Sequence, residues 1–324
     1  MRYRCGWWVR RGKPPRRLPE TRRLHRGLAD GAEVETVLTL RLSEDRGMRQ
    51  YQRTLEAHLA DYKRRRLGVR RSGEFRTKKS VVTRPHILPR DLYLLNILEP
   101  IRAEFTLYLA RHKHIKLHKY FHHLNSSQAL AFNLFFPFLT EGGAAAEALL
   151  TALGVPGRAD EWHFEYVPDK TENTNVDVAW RSRGEAWTLC EVKLSEREFG
   201  SAEPDARHKR KLEQIYEPRL RNVVDRPFLE LDAFVAHYQL LRNVSLLTQP
   251  GAGQLVVLLP RANESPQAAL REVLGAVSSP LRQRILVSNL EDVLGRLAED
   301  SRLGSRLREH VRQLVEKYVV GGSA

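Results

Sequence analysis

Apolar residues along this 324-residue chain recur at two spacings, and the change from one to the other marks out its elements. Tyr51, Leu55, Leu59 and Tyr62 keep helical spacing and predict a helix over 49–66. The stretch 92–110 reads as a long helix bent at Pro100. Ser126 or Ser127 is placed to cap the next helix, with Leu130, Leu134 and Phe138 on its buried face. An alanine-rich helix follows over 143–153. The period then changes to two. Segments 161–167, 174–180 and 187–194 alternate as strands do, with Arg183-Gly184 at the turn between the last two. Helices are expected over 206–222 and 233–247, strands over 254–259 and 284–287, and helices over 266–277, 290–297 and 301–318. Strands mixed with flanking helices, behind an N-terminal helical segment, define an α/β sheet domain.

The strand period decides which side chains meet. Residues two apart share a face, so Glu191 and Lys193 point one way while Cys190 and Val192 point the other. A hairpin closed at Arg183-Gly184 sets Asp177 opposite Glu191, or one residue off. In the preceding strand, Trp162, Phe164 and Tyr166 form an apolar face, and His163 and Glu165 form the other. Glu165, Asp177 and Glu191 would then line one side of a sheet whose opposite side is apolar. Such crowding of carboxylates is unfavourable unless a cation compensates it. Mg²⁺ suits one or two carboxylates plus water and substrate phosphate, and Lys193 would orient water or stabilise developing charge.

The bare spacing Asp-x(10–20)-Glu-x-Lys is weak, since composition gives on the order of one chance match in a chain of this length. A hairpin whose polar face carries only solvated charges has the same pattern. Both readings stand on spacing alone.

Four runs carry a resemblance: 123–137 (HLNSSQALAFNLFFP), 172–178 (ENTNVDV), 191–200 (EVKLSEREFG) and 238–243 (YQLLRN). With them the chain resembles the PD-(D/E)XK nuclease superfamily, and within it a group of bacterial restriction-endonuclease-like proteins, over roughly 48–318. The resemblance implies a restriction-endonuclease-like mixed β-sheet flanked by helices. It also implies Asp177 and Glu191 as metal ligands, Lys193 as catalytic lysine, and Mg²⁺, with Mn²⁺ able to substitute. Val176 stands where the superfamily name has proline. The third acid is Glu165 by the strand-face argument, whereas Glu172 lies in the matched run, in the loop before the strand.

Composition adds the partner. The net charge of +15 sits wholly in residues 1–86, with 24 Lys+Arg against 9 Asp+Glu; residues 87–324 hold 30 of each. A basic front end beside a phosphodiesterase core attracts nucleic acid through phosphate contacts and counterion release, though a basic arm also serves simply to solubilise. Residues 1–47 read as a disordered basic extension, and Met48, where the family-like stretch begins, would be an alternative start. Residues 48–124 then form a helical, basic segment, and 125–320 the nuclease core. There is no apolar run of membrane length and no secretory h-region. With only Cys5 and Cys190, a disulfide framework is excluded. The expected compartment is a reducing bacterial cytoplasm.

The candidate phosphate contacts are Arg64 and Arg65 in a basic loop over 63–79, then Lys209, Arg210 and Lys211, and Arg242. Gln239, Arg242 and Asn243 share a helical face that would meet the site or a DNA strand, and Gln128 and Asn133 lie on the helix before the site. His118 and His122 have the i, i+4 spacing of helical zinc ligands, but no further ligand completes the motif. The expected function is a Mg²⁺-dependent endonuclease acting on double-stranded DNA, with a homodimer as a symmetric means of cutting both strands. The alternatives are an inactive nucleic-acid binder, or an RNA or repair nuclease of the same fold.

Overall fold

The computed structural model describes residues 50–77 and 80–321. The expected extension over 1–47, Met48, and Lys78 and Lys79 of the basic loop lie outside the described residues.

The first helix, α1 (50–65), buries Tyr51, Leu55, Leu59 and Tyr62, as its spacing predicts. The basic loop after it is instead partly a hairpin of β1 (Gly73–Arg76) and β2 (Val81–Arg84). Lys63, read as part of that loop, is buried and donates to the carbonyls of Arg71 and Ile87 at 3.0 Å each. A 3-10 turn (Arg90–Asn96) precedes α2 (Glu99–Arg111). Pro100 does not bend a longer helix; it sits in the first turn, where its missing N–H leaves nothing unpaired.

Ser126 caps α3 (Ser127–Glu141) by accepting the Ala129 N–H. This helix is apolar all round and buried from Ala129 to Leu139. Asn133, expected on its surface as readily as at the site, is fully buried and bonded to Leu98 N–H, the Asn96 carbonyl and the Tyr318 hydroxyl. α4 (Gly143–Leu153) follows.

The sheet is β3 (Glu161–Asp169), β4 (Thr174–Arg181), β5 (Trp187–Val192), β6 (Ala252–Leu259) and β7 (Ile285–Asn289), in that spatial order. The first three strands are antiparallel, and β5, β6 and β7 are parallel. The β5–β6 crossover contains α5 (Ala206–Lys211), α6 (Glu217–Leu220), α7 (Leu231–Ala236) and α8 (Tyr238–Leu246). The expected helix over 206–222 widens into a π turn at Leu212–Tyr216, just before Pro218, whose ring cannot pack on a regular preceding turn. The one expected over 233–247 breaks at His237 (φ −109°, ψ 25°). α9 (Glu264–Ala276) and α10 (Ser279–Arg282) lead to β7, and α11 (Leu290–Glu299) and α12 (Ser305–Tyr318) close the chain.

The sheet is apolar on both sides, not on one. Phe164, Val178, Trp180, Cys190, Val192, Val256 and Leu258 join a core with α1, α2, α3, α4, α11 and α12. Ala179, Leu189, Leu255, Val257 and Leu259 join a second core with residues of the β5–β6 crossover and α9. This is the mixed five-stranded α/β sheet, flanked by helices, of a restriction-endonuclease-like fold. Against the sheet it buries a polar cluster that includes Glu191, Lys193 and Asn243.

Candidate active site

The β4–β5 turn runs through Arg183 and Gly184, where a φ of +81° suits glycine. The ladder behind it pairs Trp180 with Thr188, Ala179 with Leu189 and Val178 with Cys190. One step further in that register Asp177 faces Glu191. There the backbone bonding changes: the Val192 N–H donates to Asp177 Oδ2 at 2.7 Å. On its other side β5 stays parallel to β6 as far as Val192, and the Lys193 N–H continues the pattern to the Leu258 carbonyl. Asp177 and Glu191 thus sit where the antiparallel and parallel halves of the sheet part.

Glu191 and Lys193 are 4% and 6% exposed, on the side of the sheet opposite Cys190 and Val192. Lys193 Nζ is 2.9 Å from Glu191 Oε1. From α8, Gln239 Nε2 donates to Glu191 Oε1 at 2.5 Å, and its Oε1 accepts from Lys193 Nζ at 3.0 Å. One turn on, Asn243 Nδ2 donates to Glu191 Oε2 at 3.2 Å. The spacing of Gln239 and Asn243 does put both on one side chain. Gly200 leaves room for this: a Cβ there would stand 2.9 Å from Gln239 Oε1, and the Gly200 carbonyl accepts the Gln239 N–H.

Glu165 reaches the cluster by a route the alternation does not predict. Its backbone is left-handed (φ +51°), which breaks the period of β3. Tyr166 therefore leaves the face of Trp162 and Phe164, packs against the second core and stacks on the exposed His163, 5.5 Å between ring centroids. Glu165 accepts from Gln128 Nε2 at 2.7 Å and from Asn175. Asn175 is a partner that sequence reading missed, hidden as one more polar residue in an alternating strand.

The electrostatics are those of crowded acids. Burial and the negative charges of Glu191 and Glu165 push Asp177 well above the usual carboxylate range, against the pull of Lys193 and the Val192 N–H. Burial raises Glu165 to about 7, with the charge of Glu191 adding to it, although its bonds to Gln128 and Asn175 favour the charged form. Burial pulls the Lys193 ammonium down, but Glu191, Glu196 and Asp177 outweigh it and hold its pKa above the ordinary value. Burial pushes the Cys190 thiol up, so it is a small apolar packing group.

Among the described residues no three carboxylate, imidazole or thiol groups form a ready-made metal cluster. Mg²⁺ asks for less: one or two carboxylates, with water and substrate supplying the rest. Asp177 and Glu191 fit that donor set, and the mutual repulsion that raises Asp177 is what a bound cation would relieve.

Except for Arg242, which touches Asn243, the other sequence candidates bond outside the Asp177–Glu191–Lys193 cluster. Glu172 is bonded to Lys211 at 2.6 Å, to Tyr238 at 2.9 Å and to Tyr216. Lys211 is thereby engaged in an ion pair, while Lys209 lies 3.9 Å from Glu213 and Arg210 is exposed. Arg64 and Arg65 both pair with Asp61 on α1. Arg242 is not on a solvated face: it is buried, with Nη2 on Asn243 Oδ1 at 3.3 Å. His118 and His122 lie in irregular chain, not on a helix, and His122 meets the Glu74 carbonyl at 3.3 Å.

Residues 56–319 match a family described as Restriction Endonuclease associating with ARP. No curated protein and no solved structure matches the chain.

Proposed function

The chain belongs to this restriction-endonuclease family, and we propose that it is a Mg²⁺-dependent endonuclease of PD-(D/E)XK type that hydrolyses phosphodiester bonds in double-stranded DNA. The observation that carries the reading is the meeting of Asp177, Glu191 and a buried Lys193 where the two halves of the sheet part.

Asp177 and Glu191 would hold the cation, with Glu165 assisting. Bound there, it would supply an activated water and neutralise charge on the phosphoryl group. The chain's own residues do the rest. Gln239 and Asn243 fix the Glu191 carboxylate from α8, so its free electron pairs are aimed before substrate arrives. Lys193 remains an ammonium among three acids and would donate toward the attacking water or a non-bridging phosphoryl oxygen. Glu165, neutral or charged near pH 7, would give up its proton when the cation enters. We carry over from the family description, as part of the same proposal, an association with a partner of the kind abbreviated there as ARP.

The test is incubation of the full chain with supercoiled plasmid in Mg²⁺ or Mn²⁺, against EDTA, with RNA in parallel. The reading expects metal-dependent nicking or linearisation that Asp177→Ala abolishes. Retention of DNA without cleavage in either metal would support a non-enzymatic binder, and cleavage of RNA alone an RNA-directed nuclease.

A further inference from the structure

Between Glu104 and Glu141 the chain contains no acidic residue, yet it carries Arg111, Lys113, Lys116 and Lys119 and five histidines. From the end of α2, this segment is irregular up to the cap of α3. Ile115 is buried and Leu117 half-buried against the first core, which pins the segment down. Arg111, Lys113, His114, Lys116, His118 and Lys119 are left exposed. Among the described residues none of these four Lys and Arg cations has a carboxylate partner, whereas Arg64, Arg65, Arg76 and Lys211 all do. An exposed cation with no acid of its own keeps its charge for an outside anion.

The segment is fastened to the candidate site at two points. Gln128 donates to the Lys116 carbonyl at 3.0 Å, accepts the His118 N–H at 2.8 Å, and donates to Glu165 Oε1. Asn125 Nδ2 donates to Ser195 Oγ at 2.9 Å, two residues past Lys193. On its far side the segment meets the β1–β2 hairpin: Tyr120 packs on Phe75, 5.2 Å between centroids, and its hydroxyl donates to the Arg76 carbonyl. Every residue of β2 is exposed, including Arg84, which forms no ion pair among the described residues. The nearby acids are occupied: Glu74 pairs with Arg76, and Glu196 accepts the N–H groups of Leu194 and Ser195.

We propose that residues 111–120, with the β1–β2 hairpin beside them, form the surface that holds the phosphate backbone of duplex DNA against the candidate site. The proposal rests on the nucleic-acid reading above and moves the main contact away from Arg64, Arg65 and Lys211, which already have a carboxylate partner. A row of unpaired cations recognises backbone charge, not base sequence, so its signature is salt dependence.

The experiment measures anisotropy of a fluorescent DNA duplex on the full chain in EDTA, over about 50 to 200 mM salt. Replacing Lys113, Lys116 and Lys119 together by glutamine should flatten the slope of log affinity against log salt by about 3. The double variant Lys209→Gln/Arg210→Gln should move it by less than half as much. An unchanged slope in the triple variant, with its circular dichroism intact, overturns the proposal, as does a larger effect in the double variant. Asp177→Ala should keep the wild-type slope. Should the wild type fail to cut DNA in Mg²⁺ while the triple variant flattens the slope, the surface stands and the endonuclease reading falls. Cleavage by the wild type with an unchanged slope in the triple variant removes the surface and leaves the endonuclease reading intact.

Discussion

The Lys193 ammonium lies 2.9 Å from Glu191 Oε1, and both side chains are almost wholly buried. A buried pair adds little net stability, but removing one partner strands the other charge. Glu191→Ala should therefore destabilise the fold by about 3–5 kcal/mol, seen as a lower urea midpoint. A midpoint equal to wild type would mean that Lys193 finds water or another acid at no cost.

Gly200 packs against the amide that bridges this pair, at φ +107°. Gly200→Ala puts a methyl group in Gln239's place and a side chain on a strained backbone, at about 1–3 kcal/mol. Cleavage should fall far more than this loss of stability explains, because Gln239 is moved off Glu191 and Lys193. Unaltered cleavage by a folded variant would show that Gln239 has no part in aligning them.

Glu165, raised to about 7, holds its proton more tightly in the folded protein than in the unfolded chain. The metal-free fold is thus penalised above pH 7, and the penalty is relieved as pH falls through 7 toward the ordinary value of 4.5. Cation binding runs the other way: Mg²⁺ or Mn²⁺ affinity should strengthen from about pH 6 to 8 with proton release, measured by calorimetry in buffers of different ionisation heat. Glu165→Gln should reduce the proton release and leave the share that comes from Asp177; an unreduced release would assign it to groups other than Glu165.

His310 is buried on α12, its Nε2 bonded to the Asn133 carbonyl at 2.7 Å, and burial lowers its pKa to about 4. Burial likewise lowers His86 to about 4 and His123 to about 3. A histidine depressed in the folded state binds its proton more readily when unfolded. Its contribution is present above about pH 6.5 and lost as pH falls from there to about 4, which for His310 is about 3 kcal/mol. The urea midpoint of the wild type relative to His310→Gln should drop over that window, since Glu165 acts in the opposite sense in both proteins. A difference between the two that stays constant across it contradicts the assignment.

Much of this arrangement is legible in the residues themselves. The alternation in β4 and β5, with glycine at a left-handed turn position, fixes which carboxylate faces which, and i, i+4 spacing brings Gln239 and Asn243 onto one target. What escapes a reading by period is whatever interrupts the period. Nothing in Glu165 announces a left-handed backbone, so the shift of Tyr166 to the other face cannot be foreseen. The β1–β2 hairpin is hidden by short strands with few apolar residues. Arg242 and Asn133 look like surface groups by type, yet both lie on helices whose surroundings bury every side. For Asn133 the unbroken apolar run of α3 is the signal of burial; the polar neighbours of Arg242 on α8 offer none.

The central claim is that Asp177 and Glu191 share one cation. Its most direct test is a crystal of the full chain grown with Mn²⁺, with the anomalous difference map read at this cluster. The account predicts a peak within coordination distance of a carboxylate oxygen of each residue. A protein that cuts DNA in Mn²⁺ while its anomalous peak lies elsewhere would contradict it.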